Sequence, residues 1–268
     1  MAFTPSAMSS LDENSIVEWH VDGWFKGTFC ALAILSLFLS IPGFFEGSRI
    51  SKLNGLLVCI TLIAVFVRPT RMVYSVDACS GISYAYWVLN FISIGLLFSY
   101  FGTRLEKFKK YYYGLGTTMT IVHLSSLAGL EVYCPQGVVM DETFMTWTVY
   151  SGVSLLLTSL VTLYLLFKHL KPDTTYKQDS RMSRIDTLSR YALLSSAGFL
   201  ALSSVFSFTP LISVRLLFLF SSVYASTTSH LAMLLYKSLH QETSTSTDTS
   251  TLGQSASQQP YTPQPVSQ

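Results

Sequence analysis

Seven stretches of the chain are almost continuously apolar over the length of a bilayer crossing: 24–45, 53–76, 80–103, 111–130, 143–167, 191–214 and 216–236. A hydrocarbon core of roughly 30 Å takes about 20 residues at helical rise, and a helix satisfies each backbone polar group within its own segment. The pattern therefore predicts an all-α membrane protein, a bundle of seven transmembrane helices. The polar residues between the stretches are sorted by sign. Arg49, Lys52, Arg104, Lys107, Lys109, Lys110, Lys168, Lys171, Lys177, Arg181, Arg184 and Arg190 fall after the first, third and fifth spans. Only Lys26, Arg68, Arg71 and Arg215 fall at the opposite ends, where Glu131, Asp141 and Glu142 make one loop acidic. Basic residues collect on the cytoplasmic side, so the N-terminus is expected outside and the C-terminus in the cytoplasm.

This orientation divides the chain into a short extracellular segment at 1–23, the seven-helix bundle at 24–238 and a Ser/Thr-rich cytoplasmic tail at 239–268. The first segment lacks the basic region and short apolar run of a cleavable signal peptide, so span one is expected to act as an uncleaved signal anchor. Ser10 and Glu13 have capping-box spacing, which predicts a short helix over 9–22. The tail, "ETSTSTDTST" followed by Gln, Pro and Ser, offers almost nothing to bury and is expected to be disordered. Phosphorylated, it would be an anionic patch for a basic partner; otherwise it is a plain unstructured end.

Composition narrows the class. Charged residues make up 12% of the chain, half the roughly 25% of a soluble domain, and no separate soluble domain is expected. A net charge of +2 gives no electrostatic footprint for nucleic acid. Its segregation serves orientation and attraction to anionic membrane lipids instead.

Cys30 and Cys59 lie inside spans, where a thiol packs as a small apolar group. Cys79 and Cys134 both face the oxidising side and are expected to form a disulfide tethering the second outer loop to helix three; the alternative is two free thiols in an endomembrane protein. Span seven has no interior lysine for a retinal Schiff base. His123 and His230, the histidines within spans, sit at different depths, roughly 18 Å and 9 Å from the cytoplasmic ends, and are expected to be hydrogen-bonded packing residues. No span interior carries a carboxylate for proton transfer, and no internal repeat is visible, which argues against a transporter. No enzymatic chemistry, metal or cofactor is expected.

The outer half of the bundle holds the candidate ligand residues. Arg68 and Arg71 are three apart on helix two, with Asp77 just beyond, and a charge so near hydrocarbon needs a cavity, a partner or the interface. They are either an anion-recognising pair at the mouth of a pocket, with Arg215 above helix seven, or arginines reaching the outer headgroups while one pairs with Asp77. Pro69 would kink span two beside them. Helix three adds Tyr84, Tyr86, Trp87 and Asn90 in its outer half. The tyrosines suit an interfacial aromatic belt, and Asn90 suits a buried amide hydrogen-bonded between helices. The small residues of "SSAGFLALSS" suit close packing of helix six.

A disulfide from the top of helix three to the second outer loop, with Arg104 of "GTRLEKF" at that helix's inner end, resembles the G-protein-coupled receptors. Thr103 and Leu105 replace the neighbours of the rhodopsin-type arginine and helix seven has no Asn-Pro-x-x-Tyr, so the resemblance is to a receptor outside that class. It implies that Trp87 and Asn90 line a ligand site, and that Arg104, Lys107, Lys109 and Lys110 face a G protein. It also implies an arrestin-like partner for a phosphorylated tail, a plasma-membrane location and opening by movement of helix six about Pro210. The segment "RPTRMVYSVDACSGISYAYWVLNFISIGLLFSYFGTRLEKFKK" is also similar to the tobamovirus-multiplication type of seven-helix protein, which implies an endomembrane scaffold, vacuolar or lysosomal, recruiting cytoplasmic proteins. The expectation is a receptor-like protein coupling an unknown small ligand to cytoplasmic signalling partners; a scaffold is the alternative, and a small-solute transporter stands behind both.

Overall fold

The computed structural model describes residues 13–67, 76–125, 127, 130–133, 137–140, 142–170, 180–208 and 212–255. Seven helices lie at the positions of the seven apolar stretches: α1 (Glu13–Glu46), α2 (Arg49–Val67), α3 (Val76–Arg104), α4 (Lys109–Ser125), α5 (Glu142–His169), α6 (Ser180–Val205) and α7 (Ile212–Ser255). Each packs on its neighbours in sequence, and α7 returns to α1 to close the ring. Contacts from α2 and α3 to α7 fill the middle. Large apolar side chains such as Phe38, Phe45, Phe66, Leu157 and Phe167 point outward, as a lipid-facing surface requires, whereas α3 turns Phe98, Tyr100 and Phe101 into the centre.

Among the described residues, four helical segments are long and apolar enough to cross a membrane: Trp24–Glu46, Arg49–Val67, Tyr84–Arg104 and Val149–His169. The remaining three differ from the expected spans for physical reasons. Helix α4 is short, at 17 residues. Helices α6 and α7 carry many serines and threonines, which lower their hydropathy but face one another. Between α6 and α7, Ser196 and Ser222 each donate to the other's carbonyl at 2.8 Å, and Ser229 donates to the carbonyl of Ser189 at 2.7 Å. Ser203 donates to the carbonyl of Arg215 at 2.9 Å. Residues 189, 196 and 203 thus meet 229, 222 and 215 at matched seven-residue intervals, an antiparallel serine seam.

Several boundaries depart from the sequence reading. Helix α1 starts at Glu13 and runs unbroken into the first apolar stretch, rather than forming a separate short helix over 9–22. Helix α6 starts at Ser180, so Arg181, Arg184 and Arg190 lie on a helical extension where a loop was expected. Arg190 there pairs with Asp186 at 2.5 Å, one turn away. Helix α7 continues to Ser255, through much of the tail expected to be disordered. Short polar and β-branched residues are poor helix formers, but α7 is already nucleated, and extending a helix costs far less than starting one. Between α4 and α5 lies an antiparallel hairpin, β1 (Leu130–Tyr133) paired with β2 (Gly137–Met140), where a plain acidic loop was expected. Val132, Tyr133, Val138 and Val139 are the β-branched and aromatic types that favour strands.

The α1–α2 connection is tight because its residues encode it. Gly47 takes a φ of +70° immediately after α1, the left-handed conformation that ends helices and favours glycine. Ser48 then caps α2, its hydroxyl accepting from the Ser51 amide at 3.2 Å. Helices α3 and α4 approach closely at Gly95 and Gly116. A methyl group on Gly116 would sit 2.5 Å from the Gly95 carbonyl oxygen, so neither position has room for a side chain.

Candidate functional site

Two clusters of buried polar side chains lie at opposite ends of the bundle. The first is at the end where α1 meets α2, together with Arg104, Lys107, Lys109, Lys110 and Lys168. Arg104, in the last turn of α3, extends across the bundle: its guanidinium donates to the Ser189 hydroxyl of α6 at 3.0 Å and to the Met233 sulfur of α7. One side chain therefore ties the end of α3 to the interiors of α6 and α7. Ser189 in turn bonds Ser229, so Arg104 closes the serine seam at this end. Lys107, Lys109 and Lys110 differ from Arg104, being exposed on the turn and first residues of α4.

Beside Arg104 lies a chain of groups that sequence reasoning missed. Lys237 of α7 pairs with Glu46 at 3.6 Å. The Glu46 carboxylate accepts from the Ser51 hydroxyl at 2.5 Å and from the Ser48 hydroxyl at 3.2 Å. The same Ser51 oxygen lies 3.0 Å from Nε2 of His230. His230 is buried edge-on against Tyr100, ring centroids 6.1 Å apart. It is thus a hydrogen-bonded packing histidine, joining α1, α2, α3 and α7. Gly43 leaves room for it, since a methyl there would lie 3.2 Å from Nε2. The signal in the sequence was a carboxylate followed by two serines at a helix junction, opposite a span histidine.

The second cluster is at the hairpin end. Trp87 and Asn90 of α3 are 7% and 2% exposed, and Tyr86, expected in an interfacial belt, is buried beside them. Asn90 donates from its amide nitrogen to the Tyr86 carbonyl at 2.7 Å, one turn back on α3, rather than to another helix as expected. Its buried Oδ1 accepts no hydrogen bond among the described residues. Arg215, near the start of α7, is only 9% exposed and lies over the Trp87 ring, 5.9 Å from its centroid. Trp87 continues into Phe91 at 5.8 Å, and Phe91 into His123 of α4 at 5.2 Å. His123 bonds the Met119 carbonyl through Nδ1 at 2.7 Å. Arg215 was expected above helix seven; it is instead inside the bundle, against α3.

Of the other expected site residues, Arg68, Arg71 and Cys134 lie outside the described residues, as do Pro69 and Pro210. Asp77 and Cys79 fall on the opening turn of α3. Neither the proposed arginine pair nor the Cys79–Cys134 tether is therefore placed. Cys30 and Cys59 are free thiols, half-buried within α1 and α2. Among the described residues, no three His, Cys, Asp or Glu side chains converge as metal ligands would.

Comparison of the chain with models of protein families, with curated proteins and with solved structures finds no match.

Proposed function

We propose that this chain is a seven-span receptor-like membrane protein, without enzymatic chemistry, in which a small ligand at the hairpin end acts on cytoplasmic partners at the Glu46 end. The observation that carries this reading is the Arg104 side chain, which links the end of α3 to both α6 and α7. A polar clasp across three helices beside a basic surface is what a conformational output site requires, because breaking it exposes groups that a partner can bind. The basic residues of the described helices also gather at that end, which favours its cytoplasmic placement. The buried cluster of Trp87, Asn90 and Arg215 at the opposite end supplies the input. A Cys79–Cys134 tether belongs to this reading, with a plasma-membrane location.

The test is proximity labelling from an enzyme fused after Gln268, with mass spectrometry of labelled neighbours and imaging of the fusion. G-protein subunits, receptor kinases or arrestin-like proteins at the cell surface are the expected neighbours, and Arg104→Ala should deplete them while leaving surface expression intact. Small GTPases and trafficking proteins on internal membranes would replace the receptor with a tobamovirus-multiplication-type scaffold. Solute uptake into vesicles would point to a transporter.

A further inference from the structure

Four lysines at the Glu46 end gather around one aromatic contact. The Phe108 ring meets the His169 ring at the end of α5, centroids 5.5 Å apart. Lys107, Lys109 and Lys110 flank Phe108 in the chain and Lys168 precedes His169, so the contact brings three lysines of the α3–α4 turn beside one of α5. One turn further along α4, the Tyr112 hydroxyl donates to the Thr162 hydroxyl at 3.0 Å and fixes the two helices to each other. All four lysines are exposed, and among the described residues none forms an ion pair. Glu106 is the acid of the turn, so four lysines against one carboxylate leave three positive charges. Residues 171–179, outside the described residues, do not change that balance, since Lys171 and Lys177 are matched by Asp173 and Asp179. The lysines are also continuous with an apolar stripe. Lys168 lies over the Tyr164 ring, Nζ 5.9 Å from its centroid, and Tyr164, Val161 and Leu157 follow at helical spacing, each more than half exposed. From Leu157 to Lys168 is about 16 Å at helical rise, close to half of a hydrocarbon core of roughly 30 Å. Tyr111 and Tyr113 are exposed beside the α4 lysines.

We infer that this face of α4 and α5 binds an anionic phospholipid of the inner leaflet, its headgroup phosphate held by Lys107, Lys109, Lys110 and Lys168 and its chains lying on Tyr164, Val161 and Leu157. The inference rests on the cytoplasmic placement of the Glu46 end and not on the receptor reading. It goes beyond that reading by giving the α4 lysines a lipid where the receptor resemblance implies a G protein. The chemistry follows from the groups. An ammonium is a compact point charge with three donors, and several of them suit a phosphate monoester, which carries close to two negative charges. Tyrosines at this depth lie level with the headgroups. A soluble acidic protein would match the lysines but could not follow the stripe into hydrocarbon, whereas a lipid spans both.

The experiment uses the purified full-length chain in detergent micelles, titrated with dioleoyl phosphatidate or dioleoyl phosphatidylcholine and read by native mass spectrometry as lipid retained per chain. Phosphatidate should be retained saturably, and phosphatidylcholine, whose headgroup is neutral overall, should not. Lys110→Gln and Lys168→Gln should each weaken phosphatidate binding about five-fold, the worth of one lysine at an anionic membrane surface, and about 25-fold together if they act independently. Arg49→Gln, at the same end but on α2, should leave it unchanged. All three side chains are exposed, so these variants should fold as the unaltered chain does. Equal retention of the two lipids, or an equal loss with Arg49→Gln, would mean diffuse attraction to the whole basic end and would overturn the site. Displacement of phosphatidate by excess glycerol 3-phosphate would overturn it in favour of a free phosphate, and a dimer that retains no lipid would mean that a second copy covers the stripe. Signalling partners take no part in this measurement. Phosphatidate binding without labelled signalling partners would therefore leave the site standing and remove the receptor reading; signalling partners without phosphatidate binding would do the reverse.

Discussion

Replacing Ser196 separates two ways in which the α6–α7 seam can hold the bundle. Ser196 and Ser222 exchange hydroxyl-to-carbonyl bonds at 2.8 Å, and their oxygens are 3.1 Å apart. Ser196→Ala deletes one donor but keeps the close approach. The Ser222 carbonyl still has its own helix's amide, so no buried acceptor is orphaned. Interhelical side-chain bonds in membranes are worth about 0.6 kcal/mol on average, so the loss should be of that size, a fall in Tm of about 2 °C for a chain of this length. Removing all three α6 hydroxyls, at 189, 196 and 203, should cost about 2 kcal/mol if the sites are independent. Ser196→Leu is different in kind. A branched carbon cannot occupy the place of an oxygen 2.8 Å from a carbonyl, so the helices must part, at a cost of about 1–3 kcal/mol beyond the lost bond. Unfolding can be followed in micelles with a thiol-reactive fluorophore, since Cys30 and Cys59 are half-buried and free. A leucine effect several times the alanine effect is expected. Equal effects would refute the view that small size, rather than the hydrogen bond, is the main reason for serine here.

Gly116→Ala should destabilise by about 1–3 kcal/mol, because its methyl would meet the Gly95 carbonyl at 2.5 Å. Gly198→Ala, whose methyl meets nothing within 4 Å, should instead stabilise by about 0.5–1 kcal/mol; a shared sign would contradict the packing account. Ser51→Ala breaks the links to both Glu46 and His230 and should cost about 1–3 kcal/mol by the same unfolding assay. Lys237→Ala removes an ion pair whose lysine is half exposed and should cost under about 1 kcal/mol, so comparable losses would mean that Ser51 is not the central link. A Ser196→Cys, Ser222→Cys double substitution should cross-link on mild oxidation, since the two hydroxyl oxygens are already within 3.1 Å; failure to cross-link would place α6 and α7 further apart.

The number of helices and their places were legible because bilayer-length apolar runs leave few other structures. Their ends were not, because polar residues at a helix end look like loop residues. Ser180 to Arg190 carries three arginines and an aspartate, yet it is helical, with Asp186 and Arg190 paired one turn apart. The hairpin at 130–140 is hidden for a different reason: its strands are four residues each, too short for their valines and tyrosine to stand out from the acidic loop residues around them. Of the site, Trp87 and Asn90 could be placed on one face by their spacing alone. Whether that face turned to lipid or to protein could not, since a tryptophan near a membrane surface suits either. The seven-residue recurrence of serine on both α6 and α7 was readable in principle. The register that sets residue 196 against 222 depends on how the two helices dock, which a single sequence does not encode locally.

The seam also bears on how signals could cross the bundle. Its two ends coincide with the two clusters: Ser203 donates to the carbonyl of Arg215, and Ser189 accepts from Arg104. Between them Ser196 and Ser222 are locked by reciprocal bonds. An outward swing of α6 alone, of the kind that the receptor resemblance implies, would have to part all three levels and leave hydroxyls facing hydrocarbon. A movement of α6 and α7 together leaves the seam intact and instead has to release Arg104 from Ser189 and Met233, His230 from Ser51, and Lys237 from Glu46. The reciprocal serine bonds therefore favour α6 and α7 as one rigid unit, with the Arg104, His230 and Lys237 contacts as its joint to α3, α2 and α1. A ligand at Arg215 would act on that unit directly, since Arg215 belongs to α7 while Trp87 and Asn90 belong to α3. Drawing α3 and α7 together at one end and parting them at the other requires the ligand to bind the parted form more tightly, by at least the free energy of these contacts.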